Sequence, residues 1–326
     1  MEIAFFSTQS YDRETFDRFS GEGGHRLHYF TATLDEQTIR LAEGFEIICV
    51  FVNDRLHADI IHHLAGTGLK LIALRCAGFN NVDLAAAREA GVRVVRVPAY
   101  SPQAVAEHAL ALILTLNRKT HKAYNRVREG NFSLERLTGF NLRGRTVGVI
   151  GTGLIGSTFA QVIQALGMHV LAYDIQPNPE LTFAEYVSLE ELLGRSDIVS
   201  LHCPLNASTR YLIREETLSL MKDGVMLINT GRGALVHTKD VIEALKSGKI
   251  GFLGLDVYEQ EEHLFFRDLS EIIIQDDTIA RLMSFPNVLI TAHQAFLTRE
   301  ALDQIARTTL ESIRAYGEGE ELVNGV

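Results

Sequence analysis

The sequence contains no tryptophan, 3 cysteines and 6 prolines in 326 residues. The cysteines are few, odd in number and set among apolar neighbours; they are Cys49, Cys76 and Cys203. This pattern excludes a disulfide framework and favours buried thiols in a reducing compartment. We therefore expect a cytoplasmic protein. The low proline content, with 46% hydrophobic residues, excludes an intrinsically disordered chain. The sequence therefore belongs to the class of globular proteins.

Long apolar runs and excess positive charge are also missing. No apolar run approaches the roughly 20 residues that a membrane span requires, and the acidic N-terminus passes directly into a strand-like segment, so we expect neither a membrane segment nor a signal peptide. A net charge of −10 argues against a nucleic-acid partner. We find no clustered metal-ligand spacing and expect no metal. An anionic substrate would need individual arginines at its binding site.

The segment 145–156, Arg-Thr-Val-Gly-Val-Ile-Gly-Thr-Gly-Leu-Ile-Gly, is the most informative part of the chain. It has the pattern of a β-strand, a tight glycine turn and the start of a helix. Gly151 permits the turn, Gly153 lets the backbone approach a pyrophosphate, and Gly156 allows close helix–strand packing. The pyrophosphate would lie at the N-terminus of the helix, where unpaired N–H groups face it. The segment predicts a dinucleotide site.

An acidic residue at the end of the next apolar run supports this prediction. Asp174 follows Gly153 by 21 positions, the spacing at which a carboxylate accepts hydrogen bonds from the adenosine ribose. Residues 175–178 contain no Arg or Lys that could bind a 2′-phosphate. We therefore expect NAD as the cofactor in preference to NADP.

Short β-branched runs alternate with helical stretches along the chain, which is typical of parallel sheets with crossover helices. The expected fold class is α/β, with two doubly wound (Rossmann-like) parallel-sheet domains and an active-site cleft between them. Helix 104–116 is apolar nearly all round and should be buried at the domain junction or at a subunit interface. The predicted strands are 3–6, 47–52, 69–74 and 92–97 in the first block, and 146–150, 169–173, 198–202, 225–229, 251–256 and 288–291 in the second.

Three of the predicted strands in the second block are followed by groups suited to hydride-transfer chemistry. Arg232 follows strand 225–229, an acidic segment follows strand 251–256, and His293 follows strand 288–291. Arginine binds carboxylates through a planar fork, and histidine supplies a proton near neutral pH when a carboxylate orients it. Each of these residues also has a purely structural explanation. The arginine could cap a turn or form a surface ion pair, the histidine could occupy a core position, and the acids could lie on a solvated face. Either Glu259 or Glu261 could be the partner of His293.

Six segments together resemble the D-isomer specific 2-hydroxyacid dehydrogenases, and most closely the bacterial fermentative D-lactate dehydrogenases within that family. The resemblance covers essentially the whole chain. It implies a discontinuous substrate domain, 1–100 plus 297–326, around an NAD-binding Rossmann domain, 101–296. It also implies reduction of pyruvate to D-lactate with NADH. The segments are the glycine motif, Leu-Arg-Cys-Ala-Gly-Phe-Asn-Asn-Val-Asp (74–83), Val-Pro-Ala-Tyr-Ser-Pro-Gln-Ala-Val-Ala-Glu-His (97–108), Asn-Thr-Gly-Arg-Gly-Ala-Leu-Val (229–236), Asp-Val-Tyr-Glu (256–259) and Thr-Ala-His-Gln-Ala-Phe-Leu-Thr (291–298).

The resemblance also implies a role for each matching residue. Arg232 would bind the 2-keto acid, His293 would act as the acid/base, and Glu261 would be its carboxylate partner, with Glu259 as the fallback. The backbone of Cys76, Ala77 and Gly78 would bind the substrate carboxylate, and Tyr100, Phe296 and Phe51 would line the pocket. On the cofactor side the matching residues, besides the three glycines and Asp174, are Leu154, Ile155, Cys203, Pro204, Thr230, Gly231 and Asp256.

Two other functions remain open at this stage. The substrate could be a larger 2-keto acid, such as phenylpyruvate or 2-ketoisocaproate, because the volume of the pocket is not readable from the sequence. Some relatives are NAD-sensing corepressors that bind peptides, and the catalytic residue types alone do not exclude that role. The family pattern and the apolar helix 104–116 both favour a homo-oligomer, a dimer or a tetramer.

Overall fold

The computed structural model describes residues 1–21, 24–261 and 264–326. The chain divides into two compact units, Met1–Ser101 with Leu297–Val326, and Pro102–Phe296. The division expected from the resemblance falls within one residue of these bounds.

The described elements alternate between strand and helix through most of the chain. The strands are β1 (Glu2–Phe5), β2 (Arg26–Tyr29), β3 (Ile47–Val50), β4 (Leu71–Leu74), β5 (Arg93–Val95), β6 (Thr146–Ile150), β7 (His169–Tyr173), β8 (Glu185–Tyr186), β9 (Ile198–Leu201), β10 (Val225–Asn229), β11 (Ile250–Leu255) and β12 (Val288–Ile290). The α-helices are α1 (Ser10–Ser20), α2 (Ala58–Gly66), α3 (Leu84–Glu89), α4 (Pro102–Arg118), α5 (Thr120–Arg128), α6 (Leu154–Ala165), α7 (Leu189–Arg195), α8 (Glu215–Leu220), α9 (Thr238–Ser247), α10 (Asp277–Ser284) and α11 (Arg299–Glu318). Two 3₁₀ turns are described, Ile39–Ala42 and Gly233–Leu235.

The first unit is built on a five-stranded parallel sheet with the order β2-β1-β3-β4-β5. Its inner strands β3 and β4 are buried at every position, as expected for a parallel sheet covered on both faces. The long helix α11 packs on α1 and on β4, so residues from the C-terminal part of the chain contribute to the core formed by the N-terminal residues. A run of buried residues on one side of α11, including Ile305 and Ile313, forms that contact.

The second unit is built on a seven-stranded parallel sheet with the order β12-β11-β10-β9-β6-β7-β8. The strand order reverses between β6 and β9, and in open α/β sheets ligands bind beyond the strand ends at such a point. Strand β10 lies inside the sheet and is buried at all of its positions. The predicted fold class, two α/β units with doubly wound parallel sheets, is confirmed.

Helix α4 is buried on most sides through contacts within the second unit. It packs on α6 and on strands β10 to β12, and it buries Ala106, Ile113 and Leu116 in one core with strand β6. Its exposed positions, including Glu107 and Leu114, lie along the opposite side. The apolar character of α4 is therefore largely explained by this core. Within the described residues, no helix is both long and apolar enough to cross a membrane.

Candidate active site

The adjacent strands β10, β11 and β12 all end at one edge of the second sheet, and the segments that follow them are joined by backbone hydrogen bonds. The Asp256 N–H donates to the Asn229 carbonyl at 2.9 Å, and the Thr291 N–H donates to the Leu255 carbonyl at 2.9 Å. The His293 N–H donates to the Asp256 carbonyl at 2.7 Å. Because parallel strands share their direction, the three segments predicted to carry chemistry come together at this edge.

Arg232 follows β10 in a turn that the buried side chain of Asn229 organises. Asn229 Oδ1 accepts the Gly231 N–H at 3.0 Å, and its Nδ2 donates to the Arg232 carbonyl at 2.9 Å. The guanidinium Nη1 donates to the Gly231 carbonyl at 2.8 Å, and no carboxylate of the described residues forms an ion pair with it. Arg232 is partly exposed, so its positive charge is available to an anionic ligand.

His293 is paired with Glu261. Its Nδ1 lies 2.8 Å from Glu261 Oε1, and the two side chains are 15% and 21% exposed. The other carboxylate oxygen, Oε2, accepts the Tyr258 N–H at 2.9 Å, which fixes the carboxylate behind the ring. The second ring nitrogen, Nε2, has no hydrogen-bond partner among the described residues. This is the arrangement of a histidine held ready to exchange a proton through Nε2.

Glu259, the other acid considered as the partner of His293, is held elsewhere. It accepts hydrogen bonds from the Tyr211 hydroxyl and, at 2.9 Å, from the Thr238 hydroxyl. A Cβ at Gly233 would lie 2.1 Å from the Tyr258 carbonyl carbon, so only glycine lets the Arg232 turn pack against this segment. Glu259 thus joins the segment to helix α9, while Glu261 contacts His293.

The carboxylate of Asp256 is fully buried beneath the His293 loop. Its Oδ1 accepts from the Thr291 hydroxyl at 2.5 Å and the Gln294 N–H at 2.9 Å, and its Oδ2 accepts from the Ala295 N–H at 2.8 Å. His108 Nε2 of helix α4 lies 3.3 Å from Oδ1. Burial alone would raise the pKa of Asp256, but the hydrogen bonds from His108 and Thr291 outweigh it and lower the pKa. Asp256 therefore braces the loop that carries His293.

The glycine motif has the geometry that a dinucleotide requires. Gly151 has a φ of 92°, and a Cβ there would lie 2.5 Å from the Cys203 nitrogen. A Cβ at Gly156 would lie 1.8 Å from the Gly151 carbonyl oxygen, so helix α6 approaches the turn as closely as glycine permits. Gly153, the N-cap of α6, has open space around its Cβ position. The backbone at Gly153 is therefore accessible to a phosphate group, and the residues present fit a pyrophosphate.

Asp174 lies beside this turn. Its Oδ2 accepts the Thr152 N–H at 2.5 Å and the Thr152 hydroxyl at 3.1 Å, and Oδ1 accepts the Gln176 N–H at 2.9 Å. The Tyr186 hydroxyl also contacts the Thr152 hydroxyl, at 3.0 Å. The predicted ribose acceptor is thus joined directly to the glycine turn, and it remains partly exposed.

The remaining predicted cofactor residues follow strands β6, β9 and β10. Leu154 is exposed and Ile155 is half-buried at the start of α6, while Cys203 and Pro204 follow β9. Thr230, which precedes Gly231, is buried, and its hydroxyl has no hydrogen-bond partner among the described residues. A buried hydroxyl without a partner is unusual and is consistent with a ligand as its partner.

The predicted substrate residues belong to different units. Phe296 is buried in the second, whereas Tyr100 is partly exposed and Phe51 is buried in the first. Cys76, Ala77 and Gly78 follow strand β4 of the first unit directly.

Sequence reasoning missed several residues that position these groups. Arg75, at the end of β4, is buried, pairs with Asp12 and lies 4.7 Å from the centre of the Phe51 ring. Asn229, His108 and Arg96 are the others. A polar residue on the buried face of an apolar helix, as His108 is on α4, is a signal that could have been read from the sequence. No three His, Cys, Asp or Glu side chains of the described part are arranged to hold a metal ion.

The chain is similar to known proteins over nearly its whole length. The family model of the NAD-binding domain of D-isomer specific 2-hydroxyacid dehydrogenases matches residues 110–295. The chain is 53% identical to a 2-hydroxyacid dehydrogenase homolog of Haemophilus influenzae, over 96% of this chain and 95% of that protein. It is 50% identical to the D-lactate dehydrogenase of Escherichia coli K12, over 99% of each. The apo structure of the D-lactate dehydrogenase from Escherichia coli superimposes with a TM-score of 0.91 and 47% identity, covering 100% of both chains. The glycine turn, the Asp174 carboxylate and these similarities together place the chain in the NAD-dependent family of D-isomer specific 2-hydroxyacid dehydrogenases.

Proposed function

We propose that this protein is an NAD-dependent D-lactate dehydrogenase that converts pyruvate, NADH and a proton to D-lactate and NAD⁺. The observation that carries the proposal is the His293–Glu261 pair, with Nδ1 and Oε1 2.8 Å apart, at the sheet edge that also carries Arg232. A proton donor and a cation that forms no ion pair with the described residues, both at one edge, suit a reaction in which a carbonyl oxygen becomes an alkoxide. The relatives named D-lactate dehydrogenase support pyruvate as the substrate.

Different residues of the chain bind the substrate and transfer the proton. Arg232 binds the carboxylate and the keto oxygen of the substrate, and the N–H groups of Ala77 and Gly78 also bind the carboxylate. Bound NADH supplies the hydride. His293 donates the proton on Nε2 to the carbonyl oxygen, while Glu261 holds Nδ1 and stabilises the charged ring before transfer. Arg232 and protonated His293 place positive charge where the alkoxide develops, so the reaction needs no metal for that purpose.

Residues of the second unit are proposed to bind the cofactor. The Gly153 backbone and the N-terminus of α6 are proposed to bind the pyrophosphate, Asp174 the ribose, and the Thr230 hydroxyl the nicotinamide half. The Asp256 carboxylate, which the resemblance implies to be on the cofactor side, is fully buried, so we propose that it acts there through the loop it braces. Phe51, Tyr100 and Phe296 are proposed to line the substrate pocket.

The test is a measurement of NADH oxidation by the purified protein with a series of 2-keto acids. The series comprises pyruvate, 2-ketobutyrate, 2-ketoisocaproate, phenylpyruvate and glyoxylate, and the chirality of the product is determined. The highest kcat/KM with pyruvate and formation of D-lactate are expected. A preference for a bulky acid would keep the mechanism and change the substrate. Absence of turnover with NADH still bound would favour the corepressor function.

We also propose that the protein forms a homo-oligomer, with a dimer as the smallest unit. Helix α5 and the segment after it expose Tyr124, Val127, Phe132 and Leu134 by 61%, 50%, 74% and 81%. Several large apolar side chains exposed close together in sequence are typical of an association surface. Sedimentation equilibrium should give a dimer or a tetramer, and Phe132→Asp with Leu134→Asp should lower the association state. A monomeric wild-type protein would contradict the proposal.

We further propose a cytoplasmic location. The described cysteines are all free, and burial raises the pKa of the Cys49 thiol to about 12 and that of the Cys203 thiol to about 11. Free thiols that are buried, as at Cys49 and Cys76, or partly buried, as at Cys203, suit a reducing compartment. Cell fractionation with an antibody to the protein tests this location.

A further inference from the structure

The loop after β4 has its carbonyl groups bound in an ordered way. The Cys76 carbonyl accepts the Val97 N–H at 3.1 Å, and the Ala77 carbonyl accepts Arg96 Nη1 at 2.8 Å. The Gly78 carbonyl accepts the Cys76 thiol at 3.2 Å. All of these residues belong to the first unit. Each of the three carbonyls in this short loop is therefore held by a donor.

The orientation of a carbonyl sets the orientation of the next N–H group. A trans peptide unit is planar, so its C=O and N–H bonds point in opposite directions. Because Val97 holds the Cys76 carbonyl, the Ala77 N–H points away from Val97. Because Arg96 holds the Ala77 carbonyl, the Gly78 N–H points away from Arg96. Neither the Ala77 N–H nor the Gly78 N–H donates to an acceptor among the described residues.

Arg96 is itself firmly placed for this role. Its backbone N–H donates to the Asn324 carbonyl at 3.1 Å, and its guanidinium lies 5.2 Å from the centre of the Phe79 ring. A cationic donor forms a stronger hydrogen bond to a carbonyl than a neutral donor does, and it polarises the amide. The polarised peptide unit presents a more positive N–H on its far side. Such an N–H is a better donor to an anion.

We propose that Arg96 is a positioning residue for substrate carboxylate binding, acting through the Ala77–Gly78 peptide unit. This inference rests on the proposed function, in which the N–H groups of Ala77 and Gly78 bind the carboxylate. Arg96 lies on the carbonyl side of that peptide unit and the N–H faces the other side, so the guanidinium acts through the peptide and does not contact the substrate.

The expected consequence is a defect confined to substrate binding. Without the guanidinium, the Ala77–Gly78 peptide unit can rotate, and the N–H loses its fixed direction. Arg96→Met should raise the KM for pyruvate roughly 10- to 100-fold, the range for loss of a charge-assisted hydrogen bond. The value of kcat should change by less than about 3-fold, and the KM for NADH should not change, because the cofactor turn lies in the other unit. The affinity for oxamate, a carboxylate analogue of pyruvate, should fall by the same factor as the KM rises.

Two further variants make the experiment specific. Arg93→Met is the matched control, because Arg93 lies three residues earlier and its guanidinium stacks 4.3 Å from the centre of the Tyr316 ring, away from the loop. Arg96→Lys keeps a cationic donor and should restore much of the KM. If Arg96→Met does not fold, Arg96→Gln, whose side chain is too short to reach the same carbonyl position, takes its place.

The outcomes separate this inference from the proposed function. If the wild-type protein reduces no 2-keto acid, the proposed function fails. If the wild-type protein reduces pyruvate but Arg96→Met and Arg96→Gln keep its KM within about 2-fold, the positioning role alone is wrong. An equal effect in Arg93→Met, or a loss of kcat at constant KM, would also overturn it. A raised KM with partial rescue by lysine supports it.

Discussion

The backbone N–H of His293 donates to the Asp256 carbonyl at 2.7 Å, and His293 has a φ of 52°, in the left-handed region. A residue other than glycine costs about 1–2 kcal/mol in this conformation, so the surrounding contacts must hold it. The Asp256 carboxylate supplies them by accepting the N–H groups of Gln294 and Ala295, which follow His293. The strained position of the proposed proton donor is therefore maintained by the aspartate beneath it.

Asp256→Asn should weaken both the fold and the reaction. An amide has a single acceptor oxygen, so it cannot accept from Thr291, Gln294 and Ala295 together. We expect the free energy of unfolding to fall by about 1–3 kcal/mol and kcat to fall at the same time. Urea denaturation and steady-state kinetics measure the two effects. Asp223→Asn, at a side chain that is 91% exposed, is the control and should change neither quantity.

Glu261→Gln and Glu259→Gln should separate the two acids. Glu261 contacts His293, whereas Glu259 contacts Tyr211 and Thr238. Loss of the carboxylate behind the ring removes its orientation and charge stabilisation, so Glu261→Gln should lower kcat by roughly 10²–10⁴-fold. Glu259→Gln should lower stability and leave most of the turnover. Equal kcat values for the two variants would contradict the pairing as the basis of catalysis.

Alanine substitutions at two glycines of the same motif should affect different properties, one the stability of the fold and the other the binding of NADH. A Cβ at Gly156 would lie 1.8 Å from the Gly151 carbonyl oxygen, so Gly156→Ala should destabilise the second unit by about 1–3 kcal/mol. A Cβ at Gly153 meets nothing within 4 Å, so Gly153→Ala should keep the wild-type melting temperature. It should instead weaken NADH binding, because its methyl group occupies space proposed for the pyrophosphate. Thermal unfolding measures the stability of both variants, and NADH titration measures their affinity for the cofactor. A Gly153→Ala protein with wild-type NADH affinity would contradict the proposal that the pyrophosphate binds next to Gly153.

Asp174→Ala should reduce the discrimination between NADH and NADPH. The Asp174 carboxylate is proposed to accept from the ribose, and its negative charge would repel a 2′-phosphate. We expect the ratio of kcat/KM for NADH to that for NADPH to fall by about 10-fold or more, equivalent to about 1.4 kcal/mol. Since Asp174 also accepts the Thr152 N–H, the melting temperature is measured in parallel. A ratio that stays at its wild-type value would remove Asp174 from ribose recognition.

His202 should make the fold sensitive to acid. Desolvation in its partly buried position lowers the pKa of His202 to about 3, while in the unfolded chain a histidine titrates near about 6.5. Below pH 6.5 the unfolded chain therefore binds a proton that the folded chain does not, and stability decreases as the pH falls toward 3. His202→Gln should reduce the slope of unfolding free energy against pH, measured between about pH 7 and pH 5, by up to about 1.4 kcal/mol per pH unit. The control is His62→Gln, at a side chain that is 46% exposed, and equal slopes for the wild type and His202→Gln would contradict the prediction.

The apolar strands of the fold were predictable, including the edge strands β5 and β12, whereas two partly polar edge strands were not. The bounds of β6, β7 and β10 match the predicted 146–150, 169–173 and 225–229, because each is a β-branched or apolar run buried inside the sheet. Strands β2, Arg26–Tyr29, and β8, Glu185–Tyr186, were missed. Both lie at sheet edges and are partly exposed with polar residues, so they lack the apolar pattern on which sequence reasoning depends.

The amino-acid sequence by itself determined the class of fold, the cofactor turn and the residue types of the site. Those features depend on local order, such as glycine spacing and the groups that follow each strand. Only the tertiary structure decided that Glu261 contacts His293 and Glu259 does not, that Asp256 is buried beneath the loop, and that Arg96 holds the Ala77 carbonyl. These relationships depend on the directions of side chains and peptide planes from segments far apart in the chain. Packing sets those directions, and the spacing of residues along the sequence does not contain them.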